Sequence, residues 1–146
     1  MRAVIQRVKD TKLSVDGMLV SEIPYGLAVY LGVGAGDTAE KCAPMAKKIA
    51  QLRIFEDENG KMNLSVKEAG GEILLISQFT LYGDCSHGNR PSFIGAARPE
   101  VAEPLYEEVA RRLRQEWGLT VKQGVFGADM KIEQYNDGPV TILYEC

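Results

Sequence analysis

A chain of 146 residues, 45% hydrophobic and 25% charged, has the length and composition of one ordinary globular domain, which excludes disordered, collagen-like and coiled-coil readings. A formal charge of −3 argues against a general nucleic-acid binder, which would carry a net basic surface, and no DNA partner is expected. No apolar run approaches the ~18–20 residues that cross a bilayer, and the alternating start Met1-Arg2-Ala3-Val4-Ile5-Gln6-Arg7 is no secretory h-region, so neither membrane insertion nor secretion is expected.

Residues 2–8 and 12–15 read as strands, and Asp16-Gly17 is a hairpin turn signal before a strand over 18–23. Pro24-Tyr25-Gly26 reads as a second turn, and the apolar run 27–33 as a central strand buried on both faces. The loop Gly32-Val33-Gly34-Ala35-Gly36-Asp37 invites a phosphate-cradling reading. It fails because the third glycine of G-x-G-x-x-G falls at Asp37, an acid that repels phosphate. Asp37 with Glu40 reads instead as a helix N-cap and its capping partner.

Residues 38–52 carry Met45, Ala46, Ile49, Ala50 and Leu52 at helical spacing, and Pro44 places the helix start near Ala43. Short strands over 53–55 and 63–66 flank the turn Glu58-Asn59-Gly60-Lys61, and Gly70-Gly71 breaks the chain. Residues 72–80 begin as a buried strand and end polar, which suits a strand that delivers functional groups to a sheet edge. A long polar loop from Tyr82 to Pro91 follows. The spacing of Val101, Leu105, Val109 and Leu113 predicts a helix over 99–117, opened by Pro99 and closed by Gly118, with Pro104 an irregularity. Strands over 120–125 and 128–135, a turn at Asn136-Asp137-Gly138-Pro139 and a strand over 140–145 complete the chain. These elements predict one domain over residues 1–146. Its fold class is mixed α/β, with mostly antiparallel strands in two packed, barrel-like sheets and a helix layer on one side.

Few residues offer conventional chemistry. Cys42, Cys85 and Cys146 are odd in number and lack C-x-x-C spacing, which argues against disulfides and fits a reducing cytosol. His87 is the only histidine, so a zinc site is not expected. Cys85 with His87 offers a thiol-hydrolase reading, although no spacing fixes their geometry. Lys47, Lys48 and Arg53, and likewise Arg111, Arg112 and Arg114, read as solvated helix faces.

Two segments resist a structural explanation. In Ser77-Gln78-Phe79-Thr80-Leu81-Tyr82-Gly83-Asp84, hydroxyls and an amide sit where a buried strand should simply finish. In Asn136-Asp137-Gly138-Pro139-Val140-Thr141, a proline that cannot donate to a ladder stands at a strand boundary. Together these segments resemble the D-aminoacyl-tRNA deacylases, also called D-tyrosyl-tRNA deacylases. The opening Met1 to Val8, Leu52-Arg53-Ile54-Phe55-Glu56-Asp57, Arg90-Pro91-Ser92-Phe93 and Gly124-Val125-Phe126-Gly127-Ala128-Asp129-Met130 extend the resemblance over essentially the whole chain.

The resemblance implies the fold of that family and a cytoplasmic, cofactor-free hydrolase of carboxylic esters that proofreads translation. Its substrate would be a D-amino acid esterified to the 3′ end of tRNA, with glycyl-tRNA(Ala) also accepted. It further implies a homodimer in which Ser77, Gln78, Phe79 and Thr80 of one chain face Gly138-Pro139 of the other. The Gly-Pro bond would be cis, with both carbonyls turned to the substrate ammonium and Arg7 fixing their loop. An L side chain would then collide with main chain. Phe79, Phe126 and Met130 would wall the pocket and stack on the terminal adenine, and Ala128 would join them in binding substrate. Thr80 is the obvious hydroxyl nucleophile, yet no base is evident. Thr80 and Gln78 as positioning groups, with the RNA's own 2′-hydroxyl or a bound water helping the reaction, is the favoured mechanism, and Thr80 as nucleophile the second. One departure stands out, because only Arg90 is plainly basic around Ser86-His87, which weakens the expected grip on acceptor-end phosphates. A non-catalytic dimeric module that holds aminoacyl-tRNA without cleaving it is the other rival reading.

Overall fold

A computed structural model describes residues 1–146. Strand β1 (Arg2–Val15) and strand β2 (Met18–Gly32) form one long antiparallel hairpin. It closes at Asp16-Gly17, whose φ angles of 51° and 76° give the twist that a two-residue hairpin loop requires. The expected turn at Pro24-Tyr25-Gly26 is absent, because β2 runs straight through it. Pro24 falls where the ladder skips from Lys9↔Tyr25 to Thr11↔Ile23, so its missing N–H leaves no rung unmade. The break expected between residues 8 and 12 is a bulge at Asp10 (φ 42°) inside a continuous strand.

Helix α1 (Cys42–Gln51) starts close to the expected Ala43, with Pro44 in its first turn, where a missing N–H costs nothing. Asp37 does not cap it. A 3-10 turn (Ala39–Lys41) intervenes, and the Asp37 carboxylate is buried against the Met1 ammonium at 2.9 Å and the Gly34 N–H at 2.6 Å. Strands β3 (Phe55–Glu56) and β4 (Met62–Leu64) make a small separate ribbon, and β5 (Glu72–Ser77) follows.

Helix α2 (Pro99–Gln115) buries Ala102, Tyr106, Val109, Ala110 and Leu113. Val101, expected in the core, is 46% exposed. Four-residue spacing drifts by roughly 40° per step against a 3.6-residue turn, so Val101 and Leu113 cannot share one face. Strand β6 (Val121–Gln123) is followed by β7 (Met130–Glu145), which is continuous across the segment read as a turn.

The main sheet has the order β6-β5-β2-β1-β7, with β5 parallel to both β2 and β6 and the remaining pairs antiparallel. The mixed α/β class holds, with two sheets of unequal size. Leu27, Val29, Leu31, Ile73 and Leu75 face the two helices in the larger core, whereas Ala28, Leu74 and Ile76 point to the opposite face, where Val8, Leu13 and Ile23 cover them. Burial on both faces is why these strands read as unbroken apolar runs. No helix is long and apolar enough to cross a membrane.

Candidate active site

Loops at the carboxyl ends of parallel strands are where α/β sheets place ligands, because the chain leaves the sheet there in diverging directions. Strands β2, β5 and β6 end together in this way, and a cavity of about 490 Å³ opens beyond them, within the usual range for small-molecule sites. Ser77, Gln78 and Phe79 line one side. Phe126 and Ala128, from the β6–β7 connection, and Met130, at the start of β7, line another, and Pro99, Ala102 and Tyr106 of α2 form a third wall. Most of the lining is apolar, so a polar group entering it would meet few water molecules.

The polar end of β5 is held firmly. Ser77 is the last residue paired with β2, opposite Leu31, and Gln78 N–H then donates to the Leu31 carbonyl at 2.9 Å. The chain next makes a 3-10 turn (Phe79–Tyr82). The Arg2 guanidinium pins this turn by donating to the Leu81 carbonyl at 3.2 Å while lying 4.5 Å over the Tyr82 ring. Tyr82 hydroxyl donates to the Asp37 carboxylate at 3.3 Å, and Phe79 meets Phe93 edge-to-face at 5.1 Å. Here the glycine loop finds its purpose: a Cβ on Gly34 would lie 2.7 Å from the Tyr82 hydroxyl oxygen. The glycine makes room for an aromatic ring.

Thr80 does not line the cavity but sits beside it, exposed, with its hydroxyl oxygen accepting from Gln78 Nε2. No carboxylate, amine or imidazole is bonded to it, so nothing is placed to take its proton. The N–H groups of Phe79 and Thr80 open the 3-10 turn and therefore lack partners inside it.

The thiols are remote from this chemistry. Cys85 and His87 are exposed in the loop bridged by Asp84 and Ser92, outside the cavity lining, and neither side chain makes a hydrogen bond. Cys42 is buried, and burial pushes its thiol up to about 11. No cluster of three His, Cys, Asp or Glu side chains is arranged to hold a metal.

Arg7, Gly138 and Pro139 form a second locus that does not line the cavity of the same chain. The ladder between β1 and β7 passes from Gln6↔Thr141 to Val8↔Asn136, so Arg7 alone faces residues 137–140, which loop out of the edge strand. The Gly138-Pro139 bond is cis. Arg7 is 7% exposed and donates from Nε to the Asp137 carbonyl at 3.1 Å and from Nη1 to the Ile54 carbonyl at 2.8 Å. The Asp137 carboxylate pairs with Arg7 at 3.3 Å and with Lys9 at 3.2 Å. The loop is thereby tied to β1 through one buried cation.

A family model described as D-Tyr-tRNA(Tyr) deacylase matches residues 4–145. The chain belongs to this deacylase family. A D-aminoacyl-tRNA deacylase of Geobacillus sp. (strain WCH70) is 55% identical over 99% of this chain and 95% of its own length. Another, from Thermotoga petrophila, is 54% identical over 99% of this chain and 97% of its own. Among solved structures, a "c-Myc DNA Unwinding Element Binding Protein" superposes with a TM-score of 0.94 at 42% identity, covering 100% of this chain and 99% of that one. A "probable eukaryotic D-amino acid tRNA deacylase" superposes with a TM-score of 0.85 at 18% identity, covering 98% and 97%, which shows a common fold.

Sequence reasoning missed part of the cavity wall. Tyr106 closes one wall with its ring tilted on Phe126 at 5.9 Å, and its hydroxyl donates to the Leu75 carbonyl at 2.8 Å. Burial pushes this phenol up to about 12, so it stays a donor. The signal was its place four residues from Ala102 and Ala110 on one helical stripe. The Arg2–Tyr82–Asp37 buttress had no signal at all, because its members are far apart in sequence.

Proposed function

We propose that the protein hydrolyses the ester of D-aminoacyl-tRNA, and of glycyl-tRNA(Ala), as a cytoplasmic proofreading enzyme whose single catalytic unit spans residues 1–146. The family match over residues 4–145 carries this reading. The cavity supports it, because Ser77 to Phe79 line a largely apolar space at a strand end where the unpartnered N–H groups of Phe79 and Thr80 can meet an oxyanion.

The reaction needs little acid–base machinery, since an aminoacyl ester with an α-ammonium is already electrophilic. Water adds to the ester carbonyl, the Phe79 and Thr80 amides take up the developing negative charge, and the bond to the ribose 3′-oxygen breaks. The water's proton passes to that oxygen, relayed by the neighbouring 2′-hydroxyl. Gln78 and Thr80 position the ester and the water. Phe126 and Met130 receive the terminal adenine on apolar surface.

Handedness is read by a second copy of the chain. The carbonyls of its Gly138 and Pro139, the Gly-cisPro motif, accept from the substrate ammonium, and Arg7 of that copy anchors the loop. An L side chain then runs into main chain, while a glycyl hydrogen does not. Exposed apolar groups on the outer surface support such a homodimer: Leu143 is 77% exposed, Tyr135 66% and Phe79 56%. The DNA element named for one solved relative belongs to that protein. A net charge of −3 favours contact with a few nucleotides of tRNA over a duplex track.

The test is incubation of purified protein with matched D- and L-tyrosyl-tRNA and with glycyl-tRNA(Ala), alongside sedimentation to give the mass. Release from the D and glycyl esters by a dimer is expected. Equal rates for D and L, or no release at all, would overturn the reading.

A further inference from the structure

On the sheet face opposite the helices, five side chains join in a network that the reaction above does not use. Tyr30 hydroxyl donates to Gln134 Oε1 at 2.8 Å. Gln134 Nε2 donates both to Gln6 Oε1 at 2.7 Å and to Asn136 Oδ1 at 2.6 Å. Gln6 Nε2 donates to Thr141 Oγ1 at 3.2 Å. The side-chain amide groups of Gln6 and Gln134 are each engaged through both oxygen and nitrogen, so neither is free to rotate without breaking a bond.

Asn136 and Thr141 are the two feet of the loop that carries Gly138 and Pro139, because the β1–β7 ladder stops at one and resumes at the other. Gln134 therefore holds one foot and Gln6 the other, and Gln6 and Gln134 are bonded together. Arg7 grips the same loop at Asp137. Since Gln6 and Arg7 are neighbours on β1, their side chains leave the strand on opposite faces, and the loop is fixed from both sides. Tyr30 sits opposite Ile76 in the register with β5, and Ile76 lines the cavity, so the network begins beside the pocket wall and ends at the loop.

We propose that Gln6, Gln134 and Tyr30 are positioning residues that set the stance of the Gly138-Pro139 loop and thereby the discrimination between D and L esters. The proposal rests on the reading that this loop judges substrate handedness. Exclusion of an L side chain works only if the carbonyls stand at a fixed depth, because a loop that yields by about an ångström admits the group it should reject. Loss of the network acts first on the L rate and only secondarily on D turnover. A general loss of structure would lower both together.

The variants are Gln134→Leu, which removes three bonds at similar volume, and Gln6→Leu, with Tyr30→Phe as the mildest cut. Hydrolysis of matched D- and L-tyrosyl-tRNA is measured for each, with amide hydrogen exchange followed over residues 136–141. For Gln134→Leu the expected results are a D/L ratio lowered about tenfold or more, chiefly by a rise in the L rate, and faster exchange in the loop. Tyr30→Phe, which leaves both feet tied, should show a smaller drop. An unchanged ratio and unchanged loop exchange in variants of wild-type mass and melting temperature would overturn the network's role while leaving the deacylase reading intact. A fall of D and L rates in equal proportion would overturn it as well. A wild-type protein that releases D and L esters equally would overturn the deacylase reading itself, and the network with it.

Discussion

Thr80 is the residue at which the two mechanisms part. A threonine hydroxyl attacks an ester only when a neighbouring base accepts its proton, and the one group bonded to it is the Gln78 amide, which donates. Thr80→Ala should therefore keep turnover within about tenfold of wild type, measured as kcat on D-tyrosyl-tRNA with folding and mass verified. Abolished turnover in a folded protein would identify a nucleophile. Gly138 is a harsher site. At φ 134° a Cβ would lie 2.8 Å from both the Val140 nitrogen and its Cγ2, so Gly138→Ala must shift the loop that Arg7 and Gln6 hold. The expected outcome is a loss of D-ester hydrolysis of about a hundredfold, with the melting temperature moved much less.

At the scale of elements, α2 carries a correctable flaw. Pro104 has no N–H to offer the Glu100 carbonyl, and its ring crowds that carbonyl, in a helix that otherwise starts well at Pro99. Pro104→Ala should raise stability by about 1–2 kcal/mol after allowing for the freer unfolded chain, visible as a melting temperature several degrees higher. The same helix shows what sequence could and could not tell. Its bounds were legible from Pro99 and Gly118, but its buried stripe was misjudged, since four-residue spacing imitates a 3.6-residue period only briefly. Strand content was legible where alternation or unbroken apolar runs stated it. Continuity was not, because Pro24 and Pro139 signal a turn whenever read alone, yet each stands where the ladder has already been interrupted. The segments Ser77 to Thr80 and Asn136 to Thr141 stood out as polar or proline-bearing breaks in strands. The Arg2–Tyr82–Asp37 buttress did not, because it exists only through tertiary contact, and Tyr106 showed only its place on a helical stripe, not the cavity wall it forms.

For the molecule as a whole, acid should be the weak side. Burial alone would raise the Asp37 carboxyl, but hydrogen bonds from Lys41, the Met1 ammonium and the Gly34 N–H outweigh it and hold it below the usual range. Arg111 and Arg112 likewise hold the Glu108 carboxyl down to about 2. Groups depressed on folding stabilise fully above their unfolded values of about 4, and that contribution disappears as pH falls through the folded ones. The urea midpoint should thus fall steeply between pH 4 and 2 on the order of these values. Asp37→Asn should lower the midpoint at pH 6, by roughly 3 kcal/mol of stability, and flatten that acid slope. A second expectation concerns salt. In the proposed reading the acidic chain contacts only a tRNA terminus and releases few counterions, so the log–log slope of affinity against salt should be shallower than about −2, as titration from low to moderate ionic strength would show.

The outward loop of β7 has one more effect. A strand on an open border offers a row of bare N–H and C=O groups, an invitation for any stray ribbon to zip alongside and begin a fibre. Residues 137–140 cut that row in two, and proline supplies no donor at the gap. The far border, β6, is only three residues long. The chain can thus expose the middle of its longest edge without becoming a template for its own aggregation.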